Sequence, residues 1–194
     1  MNESKPTIIA LSGLSGAGKS TVATKLHGLF IGCGGQRNVS PFSAGVKRLA
    51  LNFGYDPMRL KKTPEERRLL EALTLAGEEF KLGFWADLWA KDALWGMPEK
   101  SIIIAPDHRG VPGFDALIQA HGGFHYAIIR DADSPIGVHR DASIQERAPI
   151  HPALRRWDWK ARRAGVPIDN NADDNGASAA AAILANIKER GFKA

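Results

Sequence analysis

The 194-residue sequence contains one cysteine, Cys33, so no disulfide can form within the chain. It also contains no apolar run that approaches the roughly 20 residues needed for a membrane helix. The first six residues, Met1 to Pro6, are polar, and they lack the basic and apolar regions of a secretory signal peptide. Together these absences favour a reducing compartment, and we expect a cytoplasmic protein with no membrane partner.

The overall composition is ordinary, with 44% apolar and 24% charged residues, which suits one domain with a sizeable core. The formal net charge of +5 favours anionic ligands. Most of this excess lies in residues 139–163, where seven Lys and Arg residues oppose three acids and leave +4. A solvated basic surface and a lid that closes over phosphates would both explain this stretch.

Apolar and polar patterning predicts strands that alternate with helices. We expect strands at 7–11, 101–105 and 125–129, with weaker ones at 38–40 and 166–168. We expect helices at 21–30, 46–53, 114–120 and 177–189, and a longer one from a Thr63 cap to 95 with a bend near Gly83. Because the strongest strands are continuously apolar, the pattern indicates an α/β domain whose parallel sheet is covered on both faces.

Residues 13–20 match the phosphate-binding pattern G-x-x-x-x-G-K-[ST] completely, and they lie between a predicted strand and a predicted helix. Glycines allow the loop to curl so that backbone N–H groups point at phosphate, and the helix N-terminus faces the same anion. In this pattern Lys19 reaches the β- and γ-phosphates, and the Ser20 hydroxyl ligates magnesium. We therefore expect ATP and Mg²⁺ as cofactors. The residues expected to bind ATP here are Gly13, Leu14, Ser15, Gly16, Ala17, Gly18, Lys19, Ser20 and Thr21.

Asp107 and Arg109 follow the strand predicted at 101–105. Ligands of open parallel sheets bind beyond the carboxyl ends of the strands. Asp107 could therefore hold magnesium directly or through water, and Arg109 could clamp the phosphate of an acceptor. The alternative is a turn in which the aspartate caps the next segment and the arginine is solvated.

Three further features are less specific. Lys47 lies on the helix after the second strand and could bind an acceptor phosphate, although surface lysines are common. Trp85 and Trp89 share a helix face, which either core packing or a wall for a nucleotide base explains. His108, His139 and His151 do not have the spacing of a metal site.

Several segments resemble the bacteriophage-type deoxynucleoside monophosphate kinases, a branch of the P-loop kinases. Residues 42–47 are similar to that family's Phe-Ala-Asp-Pro-Leu-Lys element, with Ala44 and Gly45 in place of its aspartate and proline. Residues 107–109 resemble its Asp-Val-Arg element, but the Asn-Glu that follows is Pro112-Gly113 here. Residues 168–171 resemble its terminal Asn-bearing loop.

This resemblance implies a three-layer P-loop kinase fold with a parallel sheet flanked by helices. One domain would span 1–194, with a small basic lid-like insertion at about 131–163. The implied reaction is transfer of the γ-phosphoryl group of ATP to a (deoxy)nucleoside monophosphate, in the host cytoplasm if the protein is phage-encoded. The residues implied to act in catalysis are Lys19, Arg109, Arg130, Arg140 and Arg147. The residues implied to bind the acceptor are Lys47, Trp89, Asp107 and Arg109, and Asn170 is expected near the adenine of ATP.

Other classes of P-loop protein remain open. A dephospho-coenzyme A kinase would share the P-loop, the Asp-x-Arg position and a basic lid. An NTP-dependent binding module would share the P-loop but usually has an extended Walker-B-type strand. We expect a small-molecule nucleotide substrate rather than nucleic acid, although the basic stretch would also permit a nucleic-acid end kinase. A homodimer is left open.

Overall fold

The computed structural model describes residues 5–30, 36–59, 62–130, 151–172 and 174–192. Their elements, in chain order, are β1 Thr7–Ser12, α1 Lys19–Leu29, β2 Arg37–Val39, α2 Ala44–Ala50, a 3₁₀ turn Leu51–Phe53, α3 Pro64–Phe80, α4 Phe84–Ala93, β3 Ile102–Ala105, α5 Phe114–Ala120, β4 Phe124–Ile129, α6 Pro152–Ala164, β5 Val166–Asp169 and α7 Ala177–Glu189. Within these ranges no helix is both long and apolar enough to span a membrane.

The five strands form one parallel sheet in the order β2-β3-β1-β4-β5. The central strand, β1, pairs with β3 on one side and β4 on the other, so that Ala10 lies between Ala105 and His125. The carboxyl ends of parallel strands meet at one edge of a sheet. That edge therefore brings together the loop after β1, Asp107 after β3 and Arg130 after β4.

Each face of the sheet has its own apolar core, because alternate residues of a strand point to opposite faces. Ile9 and Leu11 of β1 pack in a cluster that includes residues of α1 and α7. Ile8 and Ala10 pack in a second cluster that includes residues of α2, α4 and α5. The predicted α/β fold, a parallel sheet covered on both faces, is confirmed.

The long helix predicted from Thr63 to 95 is two helices. Its start is as expected: Thr63 and Glu66 form a reciprocal capping box, with Pro64 in the first turn. The chain then breaks at residues 81–83, where Gly83 adopts φ 79°. The buried carboxylate of Glu78 accepts the backbone N–H of Gly83 at 2.7 Å and so caps the second helix, α4.

Two helical glycines offer a matched test of packing. A Cβ on Gly77 would overlap the indole of Trp85 and lie 2.6 Å from its Cε2, and that indole is buried. A Cβ on Gly28 would meet nothing within 4 Å. We expect Gly77→Ala to lower the free energy of unfolding by about 1–3 kcal/mol. We expect Gly28→Ala to raise it by about 0.5–1 kcal/mol.

Urea denaturation of both variants measures this difference. Equal effects of the two substitutions would show that Trp85 is not held against α3 as described.

Candidate active site

The loop between β1 and α1 has the backbone that phosphate binding requires. Gly13 and Gly18 adopt φ angles of 141° and 86°, which residues with a Cβ rarely adopt. A Cβ on Gly13 would also lie 2.5 Å from the carbonyl oxygen of Ile128 on β4. Gly18 is the N-cap of α1 and no side chain caps this end, so the helix N-terminus is available for an anion.

Lys19 is buried at the junction of loop and helix, with 8% of its surface exposed. Its Nζ donates hydrogen bonds of 2.8 Å to the carbonyl oxygens of Gly13 and Leu14. Burial and, to a smaller extent, the positive charge of Arg109 lower the pKa of Lys19 to about 7, while Asp158 and Asp107 oppose the shift. The lysine thus lies in a buried environment that disfavours its charge, and a bound polyphosphate would favour that charge.

This lowered pKa predicts proton uptake when nucleotide binds. At pH 8 the ligand-free protein holds Lys19 mostly neutral, whereas a nearby triphosphate favours the ammonium form. From a pKa near 7, binding should take up roughly 0.9 proton at pH 8 and roughly 0.1 at pH 6. Nucleotide affinity should therefore fall as pH rises above 7.

Calorimetric titration with a non-hydrolysable ATP analogue, in buffers of different ionisation enthalpy, measures this uptake. Lys19→Met provides the control that should remove it. A binding enthalpy independent of buffer at pH 8 would contradict the prediction.

Asp107 connects the end of β3 to the start of α2. Its Oδ1 accepts the backbone N–H of Phe42 at 2.6 Å, and its Oδ2 accepts that of Ser43 at 3.1 Å. Each oxygen keeps a further lone pair. Mg²⁺ prefers oxygen ligands, and the Asp107 carboxylate and the hydroxyl of the exposed Ser20 are of this kind. These two residues would therefore hold a magnesium ion.

Arg109 is joined to α6 through a buried carboxylate. Asp158, 1% exposed, lies 3.2 Å from Arg109 Nη1 and 3.3 Å from Arg162 Nε. All three charges influence the pKa of Lys19, so they lie close to the P-loop. In the sequence, Asp158 is one of three acids in the basic stretch 139–163 and is not distinguished from the others. The available signal was its i,i+4 spacing from Arg162 on a helix.

The remaining predicted nucleotide contacts are placed as follows. Arg130 directly follows β4 and is half-buried, and its buried Nε has no hydrogen-bond partner among the described residues. The side chain of Asn170 donates a 2.8 Å hydrogen bond to the carbonyl oxygen of Ala17, so it braces the phosphate loop. Its predicted position near adenine stays a prediction. Arg140 and Arg147 lie outside the described residues, as does the part of the predicted lid-like insertion at 131–150. The rest of that predicted insertion, 152–163, belongs to α6, which packs on β4.

A small cavity of about 50 Å³ opens beside this edge of the sheet. Its walls are Phe42, Ser43, Val46, Thr74, Trp85, Asp107, Arg109, Val111 and Phe114. Trp85, rather than Trp89, is one of these residues, and its Nε1 donates a 2.9 Å hydrogen bond to the carbonyl oxygen of Thr74. Trp89 is buried in the core, with its ring centroid 4.7 Å from that of Phe42.

Positive charges converge near this cavity. The pKa of Lys62 is lowered by desolvation of its ammonium group and by the charges of Lys47 and Arg109, although much of its side chain is exposed. The predicted acceptor residues Lys47, Asp107 and Arg109 thus all lie close enough to Lys62 to influence its pKa. Lys62 was missed, because a lysine before a helix cap has no distinguishing pattern.

No family model matches the sequence, and no curated protein matches it. Among solved structures, the chain is similar to the shikimate kinase from Acinetobacter baumannii in complex with shikimate. The two share 13% identity over 98% of this chain and 97% of that chain, with a TM-score of 0.49. It is also similar to a gluconokinase from Sinorhizobium meliloti, with 13% identity over 96% and 98% of the two chains and a TM-score of 0.39. Likeness at this level carries no functional argument, and function must be argued from the site.

Proposed function

We propose that this protein is an ATP-dependent phosphotransferase, and that its acceptor is a (deoxy)nucleoside monophosphate. The observation that carries the proposal is the meeting of Lys19, Asp107 and Arg109 at one sheet edge, beside a cavity with aromatic walls. The phosphate loop supports the nucleotide half of the reaction. The cavity supports the acceptor half.

On the nucleotide side, the backbone of residues 13–18 and the N-terminus of α1 suit the phosphates of ATP. Lys19 would shift from the carbonyl oxygens of Gly13 and Leu14 to the phosphates. Ser20 and Asp107 would hold a magnesium ion, which would supply positive charge to offset that of the phosphates.

On the acceptor side, the cavity combines apolar surface with positive charge. The rings of Phe42, Trp85 and Phe114 form part of its wall, which suits a flat nucleobase. Arg109 lines the same cavity, and Lys47 and Lys62 lie near it. An acceptor with a flat ring at one end and a phosphate at the other matches this arrangement.

The reaction forms a bond between an oxygen of the acceptor phosphate and the γ-phosphorus. It breaks the bond from that phosphorus to the β–γ bridging oxygen, so that ADP leaves with the electron pair. Catalysis of such transfers is mostly positioning and charge neutralisation. Lys19 and Arg109 are suited to offset the charge that develops, and Arg130 follows the neighbouring strand at the same edge.

An ADP-release assay with Mg·ATP tests the proposal against a panel of acceptors. The panel contains the deoxy- and ribonucleoside monophosphates, dephospho-coenzyme A, a 5′-hydroxyl oligonucleotide and shikimate, which carries no phosphate. We expect release with one or more nucleoside monophosphates and none with shikimate. The Lys19→Ala protein, purified in the same way, controls for contaminating kinases.

Each other outcome has a definite meaning. Release only with dephospho-coenzyme A would keep the phosphotransferase and overturn the nucleotide acceptor. Release only with the oligonucleotide, with affinity that falls steeply with salt, would indicate an end kinase. No release from protein that still binds ATP would favour a binding module.

A further inference from the structure

Two histidines and an aspartate from three separate elements meet behind the phosphate loop. His108 follows β3, Asp115 lies in the first turn of α5, and His125 lies on β4. One nitrogen of each histidine and one carboxylate oxygen lie within 4.8 Å of one another. In the sequence, His125 lies 17 positions after His108 and no motif links the two, so spacing does not predict that they share a site.

His108 and Asp115 form the closest pair of this cluster. The His108 ring is completely buried, and its Nε2 lies 2.8 Å from Asp115 Oδ1. Its Nδ1, at the other end of the ring, is buried and has no hydrogen-bond partner among the described residues. An ion shared with Asp115 would therefore be bound by His108 Nε2, in place of the proton between the two groups.

The hydrogen bonds of His125 define its free nitrogen. The Ser12 hydroxyl donates to the carbonyl oxygen of Tyr126 at 3.4 Å, so it is free to accept from His125 Nε2 at 2.9 Å. The proton of His125 then lies on Nε2, and Nδ1 keeps its lone pair.

Asp115 supplies the negative charge. Its Oδ1 accepts a hydrogen bond from His108 Nε2 at 2.8 Å. About half of its side chain is exposed, which leaves a path for an ion to enter from solvent. The cluster therefore combines two imidazole rings and one carboxylate with access from solvent.

We propose that His108, Asp115 and His125 bind a zinc ion, with water in the fourth position. Imidazole nitrogens and a carboxylate are ligands that zinc accepts, and three protein ligands with an open position form a recurrent zinc site. Tetrahedral ligands about 2.1 Å from zinc lie about 3.4 Å apart. The His108–Asp115 pair would therefore open slightly from 2.8 Å, and the distances to His125, which lie within 4.8 Å, would adjust to the same value. Ser12 then orients His125 from behind, as outer-shell hydrogen bonds commonly do. The site differs in chemistry from the magnesium position, where the ligands are oxygens alone.

A bound ion would tie together β4, α5 and the loop after β3. That loop and α5 also supply Asp107, Arg109 and Phe114 to the cavity wall. The simpler reading is a polar network without metal, held only by the His108–Asp115 and His125–Ser12 hydrogen bonds. The two readings differ in whether the intact protein takes up zinc.

The test is calorimetric titration of chelator-treated, nucleotide-free protein with zinc chloride. We expect one tight site per chain in the wild type, and at least a tenfold weaker site in Asp115→Asn and in His125→Asn. His27→Asn, a histidine on α1, should bind zinc like the wild type, as should Ser20→Ala. Cobalt(II) in place of zinc should give the visible absorption of a tetrahedral site in wild type, and lose it in both cluster variants.

Far-UV circular dichroism and thermal melting check that each variant is folded. Asp115→Asn does not change the size of the side chain, which is half exposed, so this variant is expected to fold. It still tests the proposal if His125→Asn does not fold. Zinc affinity that is equal in the wild type and Asp115→Asn would overturn the proposal. So would the absence of a tight site in the wild type.

Discussion

Lys19→Ala is expected to lower the rate of phosphoryl transfer by about 10²–10³-fold, the effect of removing one preorganised charge from a transition state. The ammonium group lies at the junction of the phosphate loop and α1, and no other described lysine contacts the loop carbonyl oxygens. Stability should not fall. Burial opposes the charged form of Lys19, so its removal relieves a cost of folding. Initial rates at saturating ATP and thermal melting measure the two effects separately.

Lys25→Ala is the matched control, because Lys25 lies on the same helix but is exposed. Its rate should equal that of the wild type. Unchanged turnover in Lys19→Ala would remove the phosphate-loop assignment and, with it, the proposed function. A lost rate accompanied by a large fall in melting temperature would mean that the lysine is structural.

Arg109→Ala is expected to lower kcat/KM for the acceptor by about 10–100-fold, the loss of one charge-assisted hydrogen-bonding group. Arg109 lines the cavity and also pairs with Asp158. In the variant Asp158 keeps the charge of Arg162 3.3 Å away but loses its hydrogen bond from Arg109, so thermal melting is measured beside the kinetics. The KM for ATP should change much less.

Arg48→Ala controls for loss of an arginine charge alone, because Arg48 forms an exposed ion pair with Asp92 away from the cavity. It should leave both KM values unchanged. If Arg109→Ala alters only the KM for ATP, the residue serves the nucleotide and the acceptor site lies elsewhere. Steady-state kinetics with each substrate varied in turn distinguish these cases.

Features set by local chemistry were predictable from the sequence. The phosphate loop needs glycines at defined positions, and Gly13 and Gly18 adopt positive φ angles that are open to them because they lack a Cβ. The cap at Thr63 depends on a side chain three residues away, and the capping box formed as expected. The edge strand predicted at 166–168 is β5, because a short apolar run with proline suits the margin of a sheet.

Features set by packing were predictable only in part. The bend expected near Gly83 marks the break between α3 and α4, but helical periodicity continues through that point and does not predict two separate helices. The break depends on the buried carboxylate of Glu78, which accepts the N–H groups of Gly83 and Trp85. Likewise, spacing places Trp85 and Trp89 on one helix face, and both are buried. Only the tertiary structure shows that Trp89 packs against Phe42 and that Trp85 lines the cavity.

The sequence by itself determined the α/β alternation, the phosphate loop and the expectation of ATP with magnesium. Each of these depends on residues within a few positions of one another, where backbone geometry and side-chain spacing decide the outcome. The tertiary structure alone decided that Asp158 lies between Arg109 and Arg162, and that His108, Asp115 and His125 share one site. Such groupings depend on strand order and helix packing, because the parallel sheet brings together the ends of β1, β3 and β4 from distant parts of the chain.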